Sequence, residues 1–235
     1  MSLRAVSLDA AGTLFEVAEP VGETYARVAR RHGMRADPAV VERAFRAAFA
    51  AAPPLAFPGA SPTRLDAHER AWWYTIVRQS LGVRTADAAF DACAEALYAH
   101  YAAADAWRVF PEVPPTLAAL RARGMRLVVV SNFDARLPPL LDALGLAAAF
   151  DHVAYSSRAG AAKPDPSIFH AALQAVGVTA ADALHAGDAV VDDVEGARAA
   201  GVRALLLDRH DRRPPRPPDV AVIASLDDIL PLLHA

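Results

Sequence analysis

Four small groups of polar residues stand out because each closes, or closely follows, a short apolar run. Asp9 and Thr13 follow Arg4-Ala-Val-Ser-Leu8, and Ser131 and Asn132 end Arg126-Leu-Val-Val-Val130. Lys163 opens the segment Lys163-Pro-Asp-Pro166, and Asp188 follows Ala183-Leu-His-Ala-Gly187, with Asp192 and Asp193 shortly after. Carboxylates at such places are candidate nucleophiles and ligands for hard cations, and hydroxyl and amide groups are candidate holders of an anion. The basic residues comprise 23 arginines and one lysine, Lys163, which raises the question of what chemistry needs a compact ammonium there; the plainer reading is one lysine left by chance. Taken singly, each group has a plainer reading. Asp9 and Thr13 fit a turn, Ser131 and Asn132 fit helix caps, and Asp192 and Asp193 fit first-turn acids facing a helix dipole, as does Asp165. Four such accidents at adjacent strand ends are harder to accept than one site.

The elements that must carry these residues follow from periodicity. Residues 4–9 read as a buried strand that delivers Asp9 to its carboxyl end, with a turn at Gly12 and Thr13. Helical spacing occupies 21–32, 38–51, about 66–81 and 86–103, with a proline-rich loop over 53–62, so 16–107 reads as helix and loop without a strand. After Val109 the texture changes. A helix ending near Gly124, a strand at 126–132, a helix at 136–144 and a strand at 152–156 follow one another. Then come a helix from Pro166 to about 176, a strand at 183–188, a helix at 192–200, a strand at 204–207, a loop at 214–218 and a last helix at 226–233. This alternation predicts an α/β architecture: a Rossmann-like parallel sheet over 1–15 and 108–235, interrupted by an inserted helical block at 16–107. Ligands of such sheets bind beyond the carboxyl ends of the strands, where all four polar groups lie.

Composition removes several classes of function. The chain has 235 residues, 27 acidic and 24 basic, for a net charge of −3, so there is no basic footprint for nucleic acid. Apolar residues at 54% are enough for a core, and a single cysteine, Cys93, excludes a disulfide framework and a cysteine zinc site. The eight histidines are scattered without metal-binding spacing, and His185 reads as a packed side chain of its strand. Ser131 lacks a G-x-S-x-G elbow. No window is apolar enough to span a bilayer, and residues 1–11 lack a signal-peptide pattern, so a cytoplasmic protein without a membrane partner is expected.

Together, Asp9-Ala-Ala-Gly-Thr13, Val130-Ser-Asn132, Lys163-Pro-Asp-Pro166 and Gly187-Asp188 through Asp193-Val-Glu-Gly196 resemble the haloacid dehalogenase-like hydrolase superfamily. The inserted helical block resembles the family's cap in position and type. The resemblance implies that Asp9 is a covalent nucleophile and that Mg²⁺ is bound by Asp9, Asp188 and the carbonyl of Ala11. Asp193 would bind it directly or through water, with Asp192 as the competing choice. Thr13, Ser131 and the amide of Asn132 would hold the substrate anion, and Lys163 would pair with both the nucleophile and the phosphate. The cap would close over the site. The implied substrate is a small anionic metabolite, and the implied assembly is a monomer or homodimer.

One departure from the family matters. Phosphatases of this type carry a second aspartate two residues after the nucleophile, which protonates the leaving alcohol; here that position is Ala11. Proton transfer of this kind is worth roughly 10²–10⁴-fold. A 2-haloacid dehalogenase-type reaction through an ester on Asp9 needs no such acid, but the acids at 188–193 argue for a metal-dependent member. A phosphonoacetaldehyde hydrolase-like reaction would need a cap lysine, and 16–107 contains none. Glu69-Arg-Ala-Trp-Trp73 and Ser131-Asn-Phe-Asp134 further resemble the subgroup named for a rhythmically expressed insect gene. Trp72 and Trp73 read as cap core. The leading expectation is a Mg²⁺-dependent phosphohydrolase acting through an aspartyl-phosphate on Asp9. The alternatives are the dehalogenase-type hydrolase and a weakly active or inactive binding protein on the same scaffold.

Overall fold

A strand buried on both faces is apolar over most of its length, and the three central strands here are, with Ser7 and His185 as buried polar exceptions. The computed structural model describes residues 3–233; Met1, Ser2 and His234 lie outside that range. In chain order its elements are β1 (Ala5–Leu8), β2 (Phe15–Val17), α1 (Val21–Arg31), α2 (Pro38–Ala51), α3 (Pro62–Ser80), α4 (Ala88–His100), β3 (Trp107–Val109) and α5 (Val113–Ala122). They continue with β4 (Arg126–Ser131), α6 (Leu137–Ala143), β5 (His152–Tyr155), α7 (Ser156–Ala159), α8 (Pro166–Ala175), β6 (Ala183–Gly187), a π-helical turn (Val190–Glu195) and α9 (Gly196–Ala199). The last are β7 (Arg203–Leu207), β8 (Ala221–Ile223) and α10 (Ile229–Leu232).

Six strands form one sheet in the order β5-β4-β1-β6-β7-β8. All its pairings are parallel, with Ser7 beside Val128 on one side and beside His185 on the other. The architecture is therefore α/β and Rossmann-like. The chain first works outward from β1 through β4 to β5, then returns to β6 on the other flank. That reversal opens a crevice at the carboxyl ends of β1, β4 and β6. One face of the sheet packs on α8 and α9 through Val128, Val130, Ile168, Phe169, Leu173 and Ala197. Local chemistry sets the helix starts: Asp165 caps α8 by accepting from the Ser167 N–H, with Pro166 at the first helical position.

Contacts divide the chain into two compact units, one of Met1–Glu16, Ala56–Gly59 and Val109–Ala235, the other of Val17–Leu55 and Ala60–Arg108. The second contains α1 to α4, packed through Tyr25, Val28, Val41, Val77, Phe90 and Leu97. Gly22 lets α1 approach α2: a Cβ there would lie 2.2 Å from the Pro38 carbonyl. Cys93 is buried in this unit, and burial pushes its thiol up to about 11. Trp72 ties the loop before α3 to the helix by donating Nε1–H to the Pro53 carbonyl at 2.9 Å.

Three features depart from the sequence expectation. The stretch 16–107, read as free of strands, is framed by β2 and β3, which form a separate two-stranded sheet. Three residues are too few to show alternation, and the pairing joins segments about ninety positions apart. The edge strand β8 follows a proline-rich loop and went unread for the same reason. The helix expected at 192 starts at Val190 with a π-helical turn.

Candidate active site

Asp9 and Asp188 directly follow strand ends, and Asp193 sits on the π-helical turn after β6. Asp9 follows β1, and its backbone N–H still donates to the Ala186 carbonyl of β6 at 3.1 Å. Beyond it the chain turns sharply: Thr13 and Leu14 both donate to the Ala10 carbonyl, and Gly12 adopts φ +91°. Only glycine suits that turn, for two reasons. The left-handed conformation disfavours a side chain, and a Cβ would lie 2.8 Å from the carboxylate of Asp188. A second glycine does the same at β6, where a Cβ on Gly187 would lie 2.2 Å from Asp193 Cγ. A third, Gly196, lets the turn bearing Asp193 approach the Lys163 loop, since a Cβ there would meet Pro164 Cα at 2.9 Å.

The result is a compact acidic cluster. Asp9, Asp188 and Asp193 each offer an oxygen within 4.8 Å of the others. Lys163 lies between two of them: its Nζ donates to Asp9 Oδ1 at 2.7 Å and to Asp193 Oδ1 at 2.5 Å, and its side chain is only 2% exposed. Asp193 is held further by the Ala189 N–H on Oδ2 at 2.9 Å and by His185 Nε2 at 3.2 Å from Oδ1. Asp192, the competing choice, is not among the three; it is half-buried, 3.4 Å from Asn132 Nδ2.

Electrostatics follow from three acids sharing one ammonium. Burial pushes Asp188 up to about 6, helped by Asp9 and Asp193, with Arg212 opposing. Burial also raises Asp9, against the pull of Lys163. Burial would raise Asp193 too, but the Lys163 ammonium and the His185 bond outweigh it and hold this carboxyl well below the usual range. Burial would lower Lys163, but Asp193 and Asp9 raise it above its ordinary value. With all three ionised, the cluster is two positive charges short, apart from the more exposed Arg212 at 3.5 Å from Asp188. Its all-oxygen donor set suits a hard divalent ion. Two oxygens on opposite sides of one Mg²⁺ lie about 4.2 Å apart, so a spread within 4.8 Å needs only small side-chain adjustment.

The other expected residues take distinct places. Ser131 closes β4, buried beside the crevice. Asn132 turns its side chain onto the backbone of Lys163: Oδ1 accepts from the Lys163 N–H at 2.7 Å and Nδ2 donates to its carbonyl at 2.9 Å. Thr13 is fully buried, its Oγ1 without a hydrogen-bond partner among the described residues and its carbonyl accepting from Arg209 Nη2 at 2.8 Å. Arg209 also lies 3.8 Å over the Phe110 ring and pairs with Glu112. It thereby joins the turn after β1 to the segment before α5. Ala11 is exposed. The sequence reading missed His185 as part of this arrangement, because an imidazole inside an apolar run looks like ordinary packing.

Known proteins are similar to this chain in sequence and in overall structure. A model of the haloacid dehalogenase-like hydrolase family matches residues 3–201. Haloacid dehalogenase-like hydrolase domain-containing protein 3 of Bos taurus is 37% identical, covering 99% of this chain and 94% of its own. A phosphoserine phosphatase of Thermus thermophilus is 42% identical over 118 residues, 48% of this chain and 47% of its own. The crystal structure of a 2-haloacid dehalogenase from Pseudomonas syringae pathovar tomato superposes with a TM-score of 0.65 at 25% identity, covering 99% of this chain and 98% of that one. With the family model spanning most of its length, the chain belongs to the haloacid dehalogenase-like hydrolases.

Proposed function

We propose that this hydrolase is a Mg²⁺-dependent phosphohydrolase of a small anionic metabolite, working in the cytoplasm through an aspartyl-phosphate on Asp9. The observation that carries the reading is the trio of buried Asp9 and Asp193 and half-buried Asp188, with a single ammonium, Lys163, between two of its members. An ester hydrolysis without metal would still use Asp193 to hold Lys163, but it has no use for Asp188. Mg²⁺, held by Asp9, Asp188, Asp193 and the Ala11 carbonyl, would offset the charge of the carboxylates and of the incoming phosphate.

The chain's own residues do the rest. Asp9 bonds to phosphorus as the leaving oxygen departs with its electron pair. Water then attacks the phosphorus of the acyl phosphate, which frees phosphate and restores the Asp9 carboxylate. Lys163 keeps one oxygen of Asp9 paired and its charge available to the phosphate, while the Ser131 hydroxyl and the backbone N–H of Asn132 donate to phosphate oxygens. Residues 16–107 serve as the cap that chooses among substrates. Ala11 cannot protonate a leaving alkoxide, so the favoured substrates are phosphoryl compounds whose leaving group departs without a proton, such as acyl or aryl phosphates.

The test is a panel of p-nitrophenyl phosphate, acetyl phosphate and chloroacetate, each with Mg²⁺ and with a chelator. Phosphate release that needs Mg²⁺ supports the reading. Chloride release that survives the chelator would replace it with the dehalogenase-type reaction. Silence on all three would leave the binding-protein alternative.

A further inference from the structure

Two polar side chains are buried in the apolar layer beneath the site. Ser7 of β1 is 1% exposed and His185 of β6 is 0% exposed. Side chains alternate along a strand, so Ser7 shares a face with Asp9. Register sets Ser7 directly beside His185. Their surroundings on that face are apolar: the Phe169 ring meets the imidazole edge-on, with centroids 5.0 Å apart. A buried polar pair in such a layer costs free energy unless every donor and acceptor is used.

Here they are used in one direction. His185 Nε2 lies 3.2 Å from Asp193 Oδ1, and Nδ1 lies 2.9 Å from Ser7 Oγ. An ionised carboxylate only accepts, so Nε2 must carry the proton. In the neutral ring Nδ1 is then an acceptor; the Ser7 hydroxyl has one proton and two acceptors in reach, Nδ1 at 2.9 Å and the Leu184 carbonyl at 3.3 Å, and the shorter contact takes it. Asp193 has about four lone-pair sites. Lys163 Nζ, His185 Nε2 and the Ala189 N–H take three. One is left for a cation or for water bound to it.

We propose that His185 is a positioning residue for the cation site, its Nε2–H fixing Asp193 while Ser7 fixes the imidazole tautomer. The cation part of this assignment rests on the function proposed above; the tautomer part does not. Partners that orient a ligand in this way typically change metal affinity 10–100-fold when removed.

The test uses the full chain and two readouts besides activity. Long-range ¹H–¹⁵N correlation on the imidazoles is expected to show His185 in the Nε2–H form. Mn²⁺ binding, followed by electron paramagnetic resonance, is expected to weaken about 10-fold or more in His185→Leu. His185→Gln keeps a side-chain N–H and should restore most of that loss. Ser7→Ala is a milder second variant should His185→Leu fail to fold; it is expected to weaken Mn²⁺ binding and to release the tautomer. A neutral ring protonated at Nδ1, or folded His185→Leu and Ser7→Ala that bind Mn²⁺ like wild type, would overturn the proposal. Wild-type protein that binds no Mn²⁺ overturns the proposed function and the cation role together. The tautomer then still decides whether His185 braces Asp193.

Discussion

The side chain of Asn132 grips Lys163 by its peptide groups, accepting from the N–H at 2.7 Å and donating to the C=O at 2.9 Å. One amide thus fixes the backbone that carries the chain's single ammonium, and does so from the end of the neighbouring strand β4. Removing it leaves a partly buried N–H and C=O without these partners and frees the lysine loop. Asn132→Ala is expected to lower kcat about 10–100-fold with a smaller change in KM for aryl phosphate. Asn132→Gln, too long by one methylene, should not restore it. Steady-state kinetics on folded variants check this; an unchanged kcat would show that the clamp does not serve Lys163.

Gly187 is where β6 makes room for Asp193. Its backbone conformation needs no glycine, so the effect of a methyl group there is steric alone. With Asp193 Cγ 2.2 Å from the added Cβ, the carboxylate must move off Lys163. Gly187→Ala is expected to cost about 1–3 kcal/mol of stability and to abolish tight Mn²⁺ binding. Thermal unfolding and metal titration on the same sample separate the two effects.

Asp151 supplies the clearest pH dependence away from the acid cluster. Burial alone would raise its carboxyl, but the Leu127 N–H and the guanidinium groups of Arg121 and Arg126 outweigh that and lower it. A carboxyl depressed on folding stabilises above its unfolded value, about 3.9, and loses that contribution as pH falls through the folded value. The protein should therefore lose stability below about pH 4, and Asp151→Asn should flatten that acid limb. At neutral pH the variant should cost on the order of 1 kcal/mol, limited because both arginines are about half exposed. Denaturant midpoints measured from pH 2 to 7 would show it; parallel curves for the two proteins would contradict it.

Ala11 is exposed, so a longer side chain there has access to solvent. Ala11→Asp is expected to raise turnover of unactivated alkyl phosphates at least 10-fold while changing acetyl phosphate turnover little. A flat rate on alkyl phosphates would show that proton delivery is not what limits the enzyme.

The central strands and their terminal acids were legible because strands buried on both faces read as short, mostly apolar runs, and polar residues closing them are conspicuous. Lys163 was legible because arginine fills every other basic position. Contacts that depend on register were not. That Ser7 lies beside His185, or that Gly12 gives way to Asp188, joins residues more than 170 positions apart. No local pattern encodes such pairings. β2, β3 and β8 were missed because three residues carry too little periodicity, and their pairing is decided by the rest of the fold.

The most direct measurement is to trap the covalent step. Protein given acetyl phosphate and Mg²⁺, quenched in acid and reduced with borohydride, should yield a peptide in which Asp9 has become homoserine, and Asp9→Asn should yield none. Phosphate release with Asp9 unmodified throughout, or at an equal rate in Asp9→Asn, would contradict the account.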